Sequence, residues 1–318
     1  MTGATDPWTA AMRAGDYAAA WRLCDAVLAQ RRRERIDCGR WPRHLQFLWD
    51  GTPPDGRRVL VHCYHGLGDT LQFVRFLPAL RARAARVTLW VQPALLELLR
   101  GCEGVDRLAA LHDRAPDLER DLDVESMELA HVLRVGPQDL PGPVPYLHVP
   151  GAGRRPAGDP ALRVGLAWRA GDWNPARSLP VAALAGLATV PGGRWHSVQY
   201  GDAAPRFARD LACRNLVAQA RCLQTLDLVI SVDTMTAHLS GALGLPVWTL
   251  LPHAADWRWG ERRDDSPWYP TMRLFRQPRA GAWDAVLERV GDALGALAVA
   301  TERRGRGGEF TIGDARRS

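Results

Sequence analysis

Short apolar runs alternate with longer amphipathic stretches along much of the chain. The runs at residues 59–61 and 87–91 each precede a stretch of helical character, at residues 71–84 and 94–100. In a parallel sheet the strands are buried on both faces and the connections are helices, so this rhythm predicts βαβα units. We therefore expect an α/β domain over residues 57–155, after a linker rich in proline and glycine.

The alternation restarts after a second segment rich in proline and glycine, residues 137–160. Four apolar runs follow it, at residues 163–168, 195–199, 226–231 and 247–251. The pattern predicts a second α/β domain over residues 160–280 and a helix over residues 281–300. Arginine and glycine dominate residues 301–318, which we expect to be a disordered tail.

Residues 1–50 carry a different pattern. Apolar positions recur at three- and four-residue spacing from Tyr17 to Leu28, and Gly15-Asp16 separates them from a shorter helical stretch. This predicts a helical hairpin. Its Ala-x3-Gly-Asp-Tyr-x2-Ala sequence resembles one tetratricopeptide unit, and since such units need about three or more copies for stability, a single copy must pack against something else.

The amino-acid composition excludes several classes of reaction mechanism. The chain has 318 residues, of which 47% are hydrophobic and 24% charged, as in ordinary globular proteins. All 41 basic residues are arginine, which excludes Schiff-base, pyridoxal and Walker-type mechanisms because these need lysine. The net charge of +6 favours phosphate-bearing ligands. Six scattered cysteines without a C-x-x-C pair disfavour a zinc knuckle and a disulfide framework.

Two glycines and a carboxylate follow the first predicted strand. The sequence His65-Gly66-Leu67-Gly68-Asp69-Thr70 leads into a helix, and open α/β sheets bind ligands at this end of their strands. The third glycine of the dinucleotide fingerprint is missing, and a carboxylate at Asp69 would repel a pyrophosphate. Asp69 is interpreted either as a helix cap or as a base that faces a hydroxyl group.

A second candidate site follows the run at residues 226–231. Asp233 and Thr234 precede a helix of small residues, whose first amides and dipole suit a diphosphate. Thr234 and His238 lie four residues apart, on one face of that helix. The simpler interpretation is that Asp233 and Thr234 only cap the helix and that His238 packs beneath it; for His238 alone the residue pattern favours this interpretation.

Three further segments carry charged or aromatic residues. Arg177 and Ser178 end a loop rich in glycine, asparagine and proline, where a guanidinium can neutralise a leaving phosphate or simply be solvated. Residues 256–270 suit either the stacking of a sugar or base or a packed wrapping segment. Asp121-Leu122-Asp123 matches a D-x-D metal pattern, but without a further ligand at suitable spacing we predict a surface position and no required metal.

Together, these motifs resemble those of a known family. The chain resembles the heptosyltransferase-like glycosyltransferases of family 9 over residues 57–277. The resemblance depends on two motifs: a strand followed by His-Gly-Leu-Gly-Asp-Thr-Leu-Gln-Phe, and Ser-Val-Asp-Thr-x-x-x-His-Leu-x-Gly-Ala-Leu-Gly. The hairpin and the sequences Asp-Trp-Arg-Trp and Ser-Pro-Trp-Tyr-Pro resemble segments of one branch of this family, whose members carry tetratricopeptide units. The resemblance implies an α/β fold of GT-B architecture, with two facing Rossmann-like domains that bind the acceptor mainly on the first and the donor mainly on the second.

The resemblance also implies roles for individual residues. Asp69 matches the proposed catalytic base, and Asp233 and Thr234 match the residues that contact the donor, followed by His238. Arg177 stands where the heptosyltransferases have a lysine, which keeps the positive charge but changes its geometry. The other predicted donor contacts are Ser178, Met235 and Thr236, and the predicted acceptor or loop contacts are His65, Gly66, Gly68, Thr70 and Gln72.

The implied reaction is an inverting transfer of a sugar, heptose by family default, from a nucleotide-diphosphate sugar to a hydroxyl group. The acceptor is expected on a glycan, a lipid-linked glycan or a protein, and no metal or other cofactor is expected. Two alternatives stay open: a non-catalytic scaffold that uses the same cleft, and a nucleotide-sugar epimerase that needs no acceptor. A nucleic-acid partner is not expected, because the arginines are spread along the chain without a binding motif.

The sequence also suggests where the protein acts. The first twenty residues lack the apolar core of a signal peptide, and no uncharged apolar stretch reaches about 18 residues. We expect a cytoplasmic protein that is at most peripheral to the inner face of the inner membrane. The basic run at residues 31–35 can meet anionic lipid there or form a solvated helix end, and the hairpin can bind a protein partner.

Overall fold

The computed structural model describes residues 6–140, 142–151, 153 and 161–305. The chain divides into two compact units. Unit 1 consists of residues 1–147 with residues 256–261, and unit 2 consists of residues 148–255 with residues 262–318. The short segment 256–261 thus belongs to unit 1, although the sequence pattern placed it with the second domain.

Unit 1 begins with the two predicted helices, α1 (Pro7–Ala14) and α2 (Tyr17–Glu34). The turn between them has a local cause. Gly15 adopts φ 76°, a left-handed conformation that ends α1, and the side chain of Asp16 caps α2 by accepting the backbone N–H of Ala19. The hairpin therefore follows from the Gly-Asp break in the sequence.

The hairpin packs against its own unit. The indole of Trp21 donates to the carbonyl oxygen of Val135 at 2.7 Å, and Asp25 accepts hydrogen bonds from Arg134 and contacts the imidazole of His131 at 2.9 Å. The ring of Trp21 also stacks on His131, with centroids 5.5 Å apart. Unit 1 itself thus supplies a packing surface for a single helical hairpin.

The sheet of unit 1 has four parallel strands in the order β3-β2-β1-β4. Its elements are, in chain order, β1 (Arg58–His62), α3 (Leu67–Phe73), α4 (Leu77–Arg81), β2 (Arg86–Val91), β3 (Arg107–Ala110), β4 (Leu122–Glu125) and α5 (Leu129–Val132). The apolar side chains of β1 and β2 are almost completely buried. The apolar runs seen in the sequence therefore form the centre of this sheet.

The sheet of unit 2 has six parallel strands in the order β10-β9-β8-β5-β6-β7. Its elements are β5 (Leu162–Ala167), β6 (Gly193–Ser197), β7 (Arg209–Asp210), α6 (Leu216–Leu223), β8 (Leu228–Val232), α7 (Met235–Ala242), β9 (Val247–Leu251), β10 (Met272–Arg276) and α8 (Trp283–Gly305). Val164, Ile230 and Leu250 pack with Val286 and Val290 of α8 in the core. The C-terminal helix thus covers one face of the sheet.

Three sequence predictions about secondary structure need correction. Residues 94–100 do not form a helix; the chain makes a 3-10 turn at Pro93–Leu95 and reaches Gly101 with φ 83°. The helix predicted over residues 71–84 is divided into α3 and α4 by a 3-10 turn, next to Pro78, which lacks an N–H. Residues 301–305 are helical rather than part of a disordered tail, and residues 306–318 lie outside the described residues.

A search of the described residues for a bilayer-crossing helix finds none with the required length and apolar character.

Candidate functional site

Asp69 lies in the first turn of α3, directly after the loop that follows β1. One carboxylate oxygen, Oδ2, accepts the backbone N–H of Gly66 at 3.0 Å, so Asp69 caps its own helix. The other oxygen, Oδ1, accepts a hydrogen bond from Nη2 of Arg258 at 2.8 Å. The side chain still exposes 24% of its surface. Capping therefore leaves the carboxylate accessible, and the two interpretations of Asp69 are compatible.

The other residues predicted in this loop divide into two groups. His65 and Gly66 on the loop and Gly68 in the first turn of α3 are at least partly exposed. Thr70 and Gln72 are fully buried, as are Leu71 and Phe73 between and after them. The hydroxyl of Thr70 donates to Gln92, whose amide in turn donates to the carbonyl of His65. Thr70 thus supports the loop through Gln92, and a contact of Thr70 or Gln72 with an acceptor stays a prediction.

Glu125, at the end of β4, is a candidate residue that the sequence analysis did not identify. Its strand neighbours β1 with His62 and Glu125 in register, and Glu125 Oε2 lies 3.7 Å from Nε2 of His65. Burial raises the pKa of Glu125 to about 7, although backbone donors at Met127 and Tyr64 oppose this shift. The available signal was weak: an acidic residue at the end of a four-residue stretch in which apolar and acidic residues alternate.

Arg177 and Asp233 meet at the carboxyl end of β8 in unit 2. Nη1 of Arg177 donates to the carbonyl oxygen of Asp233 at 3.0 Å and lies 3.9 Å from its carboxylate. The guanidinium also lies over the ring of Trp173, 4.3 Å from its centroid. Asp233 is 2% exposed. A buried carboxylate and a fixed arginine therefore stand at the start of α7, where helix amides favour an anion.

The other residues predicted to contact the sugar donor differ in how deeply they are buried. Thr234 and Met235 are half-buried at the start of α7, and Thr236 is buried. The hydroxyl of Ser178 accepts the backbone N–H of Ala170 at 3.0 Å, which braces the preceding loop. Ser178 therefore supports the loop that carries Arg177.

His238 is buried, as the simpler interpretation expected, but it is not isolated. Its Nδ1 lies 3.0 Å from the hydroxyl of Tyr269, and its Nε2 lies 3.8 Å from the carboxylate of Asp233. Tyr269 is itself fully buried. The histidine thus links the aromatic Ser-Pro-Trp-Tyr-Pro motif to Asp233.

The aromatic segment 256–270 is mainly a packed segment. Trp259, Trp268 and Tyr269 are 0% exposed, so these rings form no open stacking surface for a sugar or base. The segment divides after residue 261, since residues 256–261 belong to unit 1 and the rest to unit 2.

Both carboxylates of the D-x-D sequence are paired with basic groups. Asp121 accepts hydrogen bonds from the backbone and guanidinium of Arg58. Asp123 lies 2.6 Å from both His62 Nε2 and Arg120 Nε. These contacts agree with a structural role for the two acidic residues.

The chain is an α/β protein with two parallel sheets, and charged side chains lie at the carboxyl ends of their strands, the edge at which open α/β sheets bind ligands. No protein-family model matches the chain. The chain is 24% identical over 295 residues to the protein FlbA of Caulobacter vibrioides, an alignment that covers 77% of this chain and 48% of FlbA. It therefore spans about half the length of this curated relative.

Two solved structures show which fold this is. The glycosyltransferase TibC of enterotoxigenic E. coli matches with a TM-score of 0.52 and 14% identity, over 80% of this chain and 76% of TibC. The ADP-heptose lipopolysaccharide heptosyltransferase II of E. coli matches with a TM-score of 0.51 and 15% identity, over 77% of this chain and 99% of the enzyme. The chain has the α/β fold of the GT-B heptosyltransferases, which confirms the predicted fold class.

Proposed function

We propose that the protein is a glycosyltransferase that moves a sugar from a nucleotide-diphosphate sugar to a hydroxyl acceptor. The observation that carries the proposal is the group formed by Arg177, Asp233 and the start of α7. An arginine held at 3.0 Å from a strand-end carbonyl, beside the first amides of a helix, provides two kinds of donor to a diphosphate. Similar chemistry is known for TibC, which has been solved in complex with ADP-D-β-D-heptose.

The reaction assigns one task to each unit. A bond forms between the acceptor oxygen and the anomeric carbon while the bond from that carbon to the diphosphate breaks. Asp69 of unit 1 takes the proton of the acceptor hydroxyl, for which its partly exposed carboxylate is suited. Arg177 and the amides of α7 in unit 2 stabilise the negative charge of the leaving diphosphate. The direct displacement inverts the anomeric carbon, and no metal takes part.

The same comparison supports a choice of donor. An ADP-linked heptose is the first donor to test, because the heptosyltransferases of this fold use it. The acceptor hydroxyl belongs to a glycan, a lipid-linked glycan or a protein.

Calorimetric titration with ADP, UDP, GDP and dTDP tests this function, first with EDTA and then with magnesium. We expect saturable binding of one nucleotide that does not depend on the metal and that Asp233→Asn weakens. Asp210→Asn, which changes an exposed carboxylate of unit 2, is the matched control. Binding of none of the four nucleotides would instead support the scaffold alternative. Turnover of a sugar nucleotide without any acceptor, with the sugar returned as an isomer, would support the epimerase.

A further inference from the structure

Arg258 is a buried arginine whose guanidinium contacts two carboxylates. It lies in the 3-10 turn Trp257–Trp259 of unit 1 with only 9% of its side chain exposed. Nη2 donates to Asp69 Oδ1 at 2.8 Å, and Nη1 lies 3.4 Å from Asp256. A buried guanidinium is costly unless it is paired. Since the backbone N–H of Gly66 donates to the other oxygen of Asp69, both oxygens of this carboxylate accept a hydrogen bond.

The guanidinium is supported by a pair of tryptophans that leads to the hairpin. It lies 5.0 Å from the ring centroid of Trp257. Trp257 packs edge-on against Trp8 of α1, with ring centroids 5.3 Å apart and an interplanar angle of 73°. Aromatic pairs in this geometry are favourable beyond their buried area. A continuous chain of contacts thus runs from α1 to the carboxylate of Asp69, entirely within unit 1.

We propose that Arg258 is a positioning residue for the base Asp69, and that the N-terminal hairpin holds Arg258 in place through Trp8 and Trp257. Each carboxylate oxygen has about two acceptor sites, so Oδ1 keeps a second site for the hydroxyl of the acceptor while Arg258 fixes its direction. The inference rests on the proposed function and gives the hairpin an internal role: it determines the orientation of the base.

The test measures ADP release from ADP-D-β-D-heptose with water as the acceptor, so that the sugar passes to a water oxygen and the proton of that water to Asp69. It compares the wild type, Arg258→Gln, Arg258→Lys and Trp8→Ala, alongside the calorimetric Kd for ADP. We expect Arg258→Gln to lower kcat at least about tenfold with an unchanged Kd, and Arg258→Lys to recover part of the loss. Trp8→Ala, which removes the indole that packs on Trp257, should lower kcat several-fold. In an Asp69→Asn background, Arg258→Gln should have little further effect, because the two residues act through one another.

Matched controls and a second readout keep the proposal falsifiable. Arg100→Gln and Trp41→Ala change exposed residues of unit 1 and should leave kcat unchanged. The ¹³Cγ signal of Asp69, assigned with Asp69→Asn, should move in both Trp8→Ala and Arg258→Lys. A kcat equal to that of the wild type, or an unchanged Asp69 signal, in Trp8→Ala would overturn the proposed role of the hairpin. A kcat equal to that of the wild type in Arg258→Gln would overturn the proposed role of Arg258. If the wild type binds no nucleotide and releases no ADP, the proposed function fails, and the signal still decides whether the hairpin positions Asp69.

Discussion

Arg177 is held by the backbone of Asp233: its Nη1 donates to the Asp233 carbonyl oxygen at 3.0 Å, while the carboxylate of the same residue lies 3.9 Å away. The first contact directs Nη1 at the strand end, and the second keeps a positive charge beside a buried negative one. The guanidinium has further N–H donors in a planar fork, whereas the ammonium group of lysine is a point charge on a flexible stem and would not hold its other donors in a fixed direction.

Replacing Arg177 should therefore weaken nucleotide binding in two steps. We expect Arg177→Lys to raise the Kd for the preferred nucleoside diphosphate about tenfold, and Arg177→Gln about a hundredfold, since charged hydrogen bonds contribute about 1.5–3 kcal/mol. Calorimetry measures both values. Arg206→Gln removes an exposed charge from the same unit and should change the Kd little. An equal Kd for Arg177→Gln and Arg206→Gln would exclude Arg177 from the donor site.

Asp69→Asn separates the capping role of this residue from its role as a base. The amide oxygen of asparagine can still accept the N–H of Gly66, so the helix cap should survive. The side chain can no longer take a proton, and we expect kcat to fall ~10²–10⁴-fold while nucleotide affinity stays the same. Asp113→Asn makes the same change at an exposed position of unit 1. Unchanged turnover in Asp69→Asn would remove the base assignment.

Glu128 makes the stability of unit 1 depend on pH. Its Oε2 accepts the backbone N–H groups of Trp49 and Glu125, each at 2.9 Å. Burial raises the pKa of Glu128 from 4.5 to about 7, and the nearby Glu125 adds to the shift. The folded state therefore binds this proton more tightly than the unfolded state, so the contribution to stability is present below about pH 4.5 and is lost as the pH rises through about 7.

Glu128→Gln keeps an acceptor oxygen but does not titrate. Relative to the wild type, we expect this variant to gain about 1–3 kcal/mol in free energy of unfolding between pH 5 and pH 8. Urea denaturation at the two pH values measures the difference. Glu103→Gln, at an exposed position, should show no such gain. A Glu128→Gln variant whose stability relative to the wild type is the same at both pH values would contradict the assignment.

Gly241 of α7 leaves room for the ring of Tyr269. A Cβ atom at this position would lie 2.5 Å from Tyr269 Cδ1, and the ring is fully buried. We expect Gly241→Ala to lower the free energy of unfolding by about 1–3 kcal/mol through overpacking. Gly186→Ala, where nothing lies within 4 Å of the new atom, should be close to neutral. Thermal denaturation compares the two, and equal melting temperatures would show that the Tyr269 ring moves aside.

Trp21 anchors the hairpin by a hydrogen bond as well as by packing. Trp21→Phe keeps an aromatic ring against His131 but leaves the carbonyl of Val135 without the indole donor that it contacts at 2.7 Å. We expect a loss of about 1–3 kcal/mol in free energy of unfolding, the cost of an unsatisfied buried acceptor. Trp41→Phe, at a residue that is 43% exposed, is the control. A stability equal to this control would mean that packing alone holds the hairpin.

The sequence predicted the sheets best where the strands are mostly apolar. β9 occupies residues 247–251, as predicted, because a buried parallel strand has a nearly continuous apolar sequence, here interrupted by Thr249. β4 was missed, since Asp123 and Glu125 alternate with apolar residues and make the strand resemble a charged surface stretch. Its acidic groups are tolerated because His62, Arg120 and backbone amides bind them.

The candidate site was predictable to the extent that it is contiguous in sequence. Asp233 and His238 come from one strand-helix motif, so their proximity follows from local geometry. Glu125 and Arg258 were not predicted as neighbours of the loop that carries Asp69, because their contacts depend on strand order and on the path of the chain. The chemical roles of all these residues remain predictions that the variants above can test.

The contact between Arg258 and Asp69 joins residues 189 positions apart in sequence. During translation, the other parts of unit 1 leave the ribosome well before Arg258, an interval on the order of ten seconds at ~5–20 residues per second. Asp69 therefore lacks its arginine until the chain has been synthesised through strands β5 to β9. The contact between Arg258 and Asp69 can therefore form only late in biosynthesis, after most of the sheet of unit 2 has been synthesised.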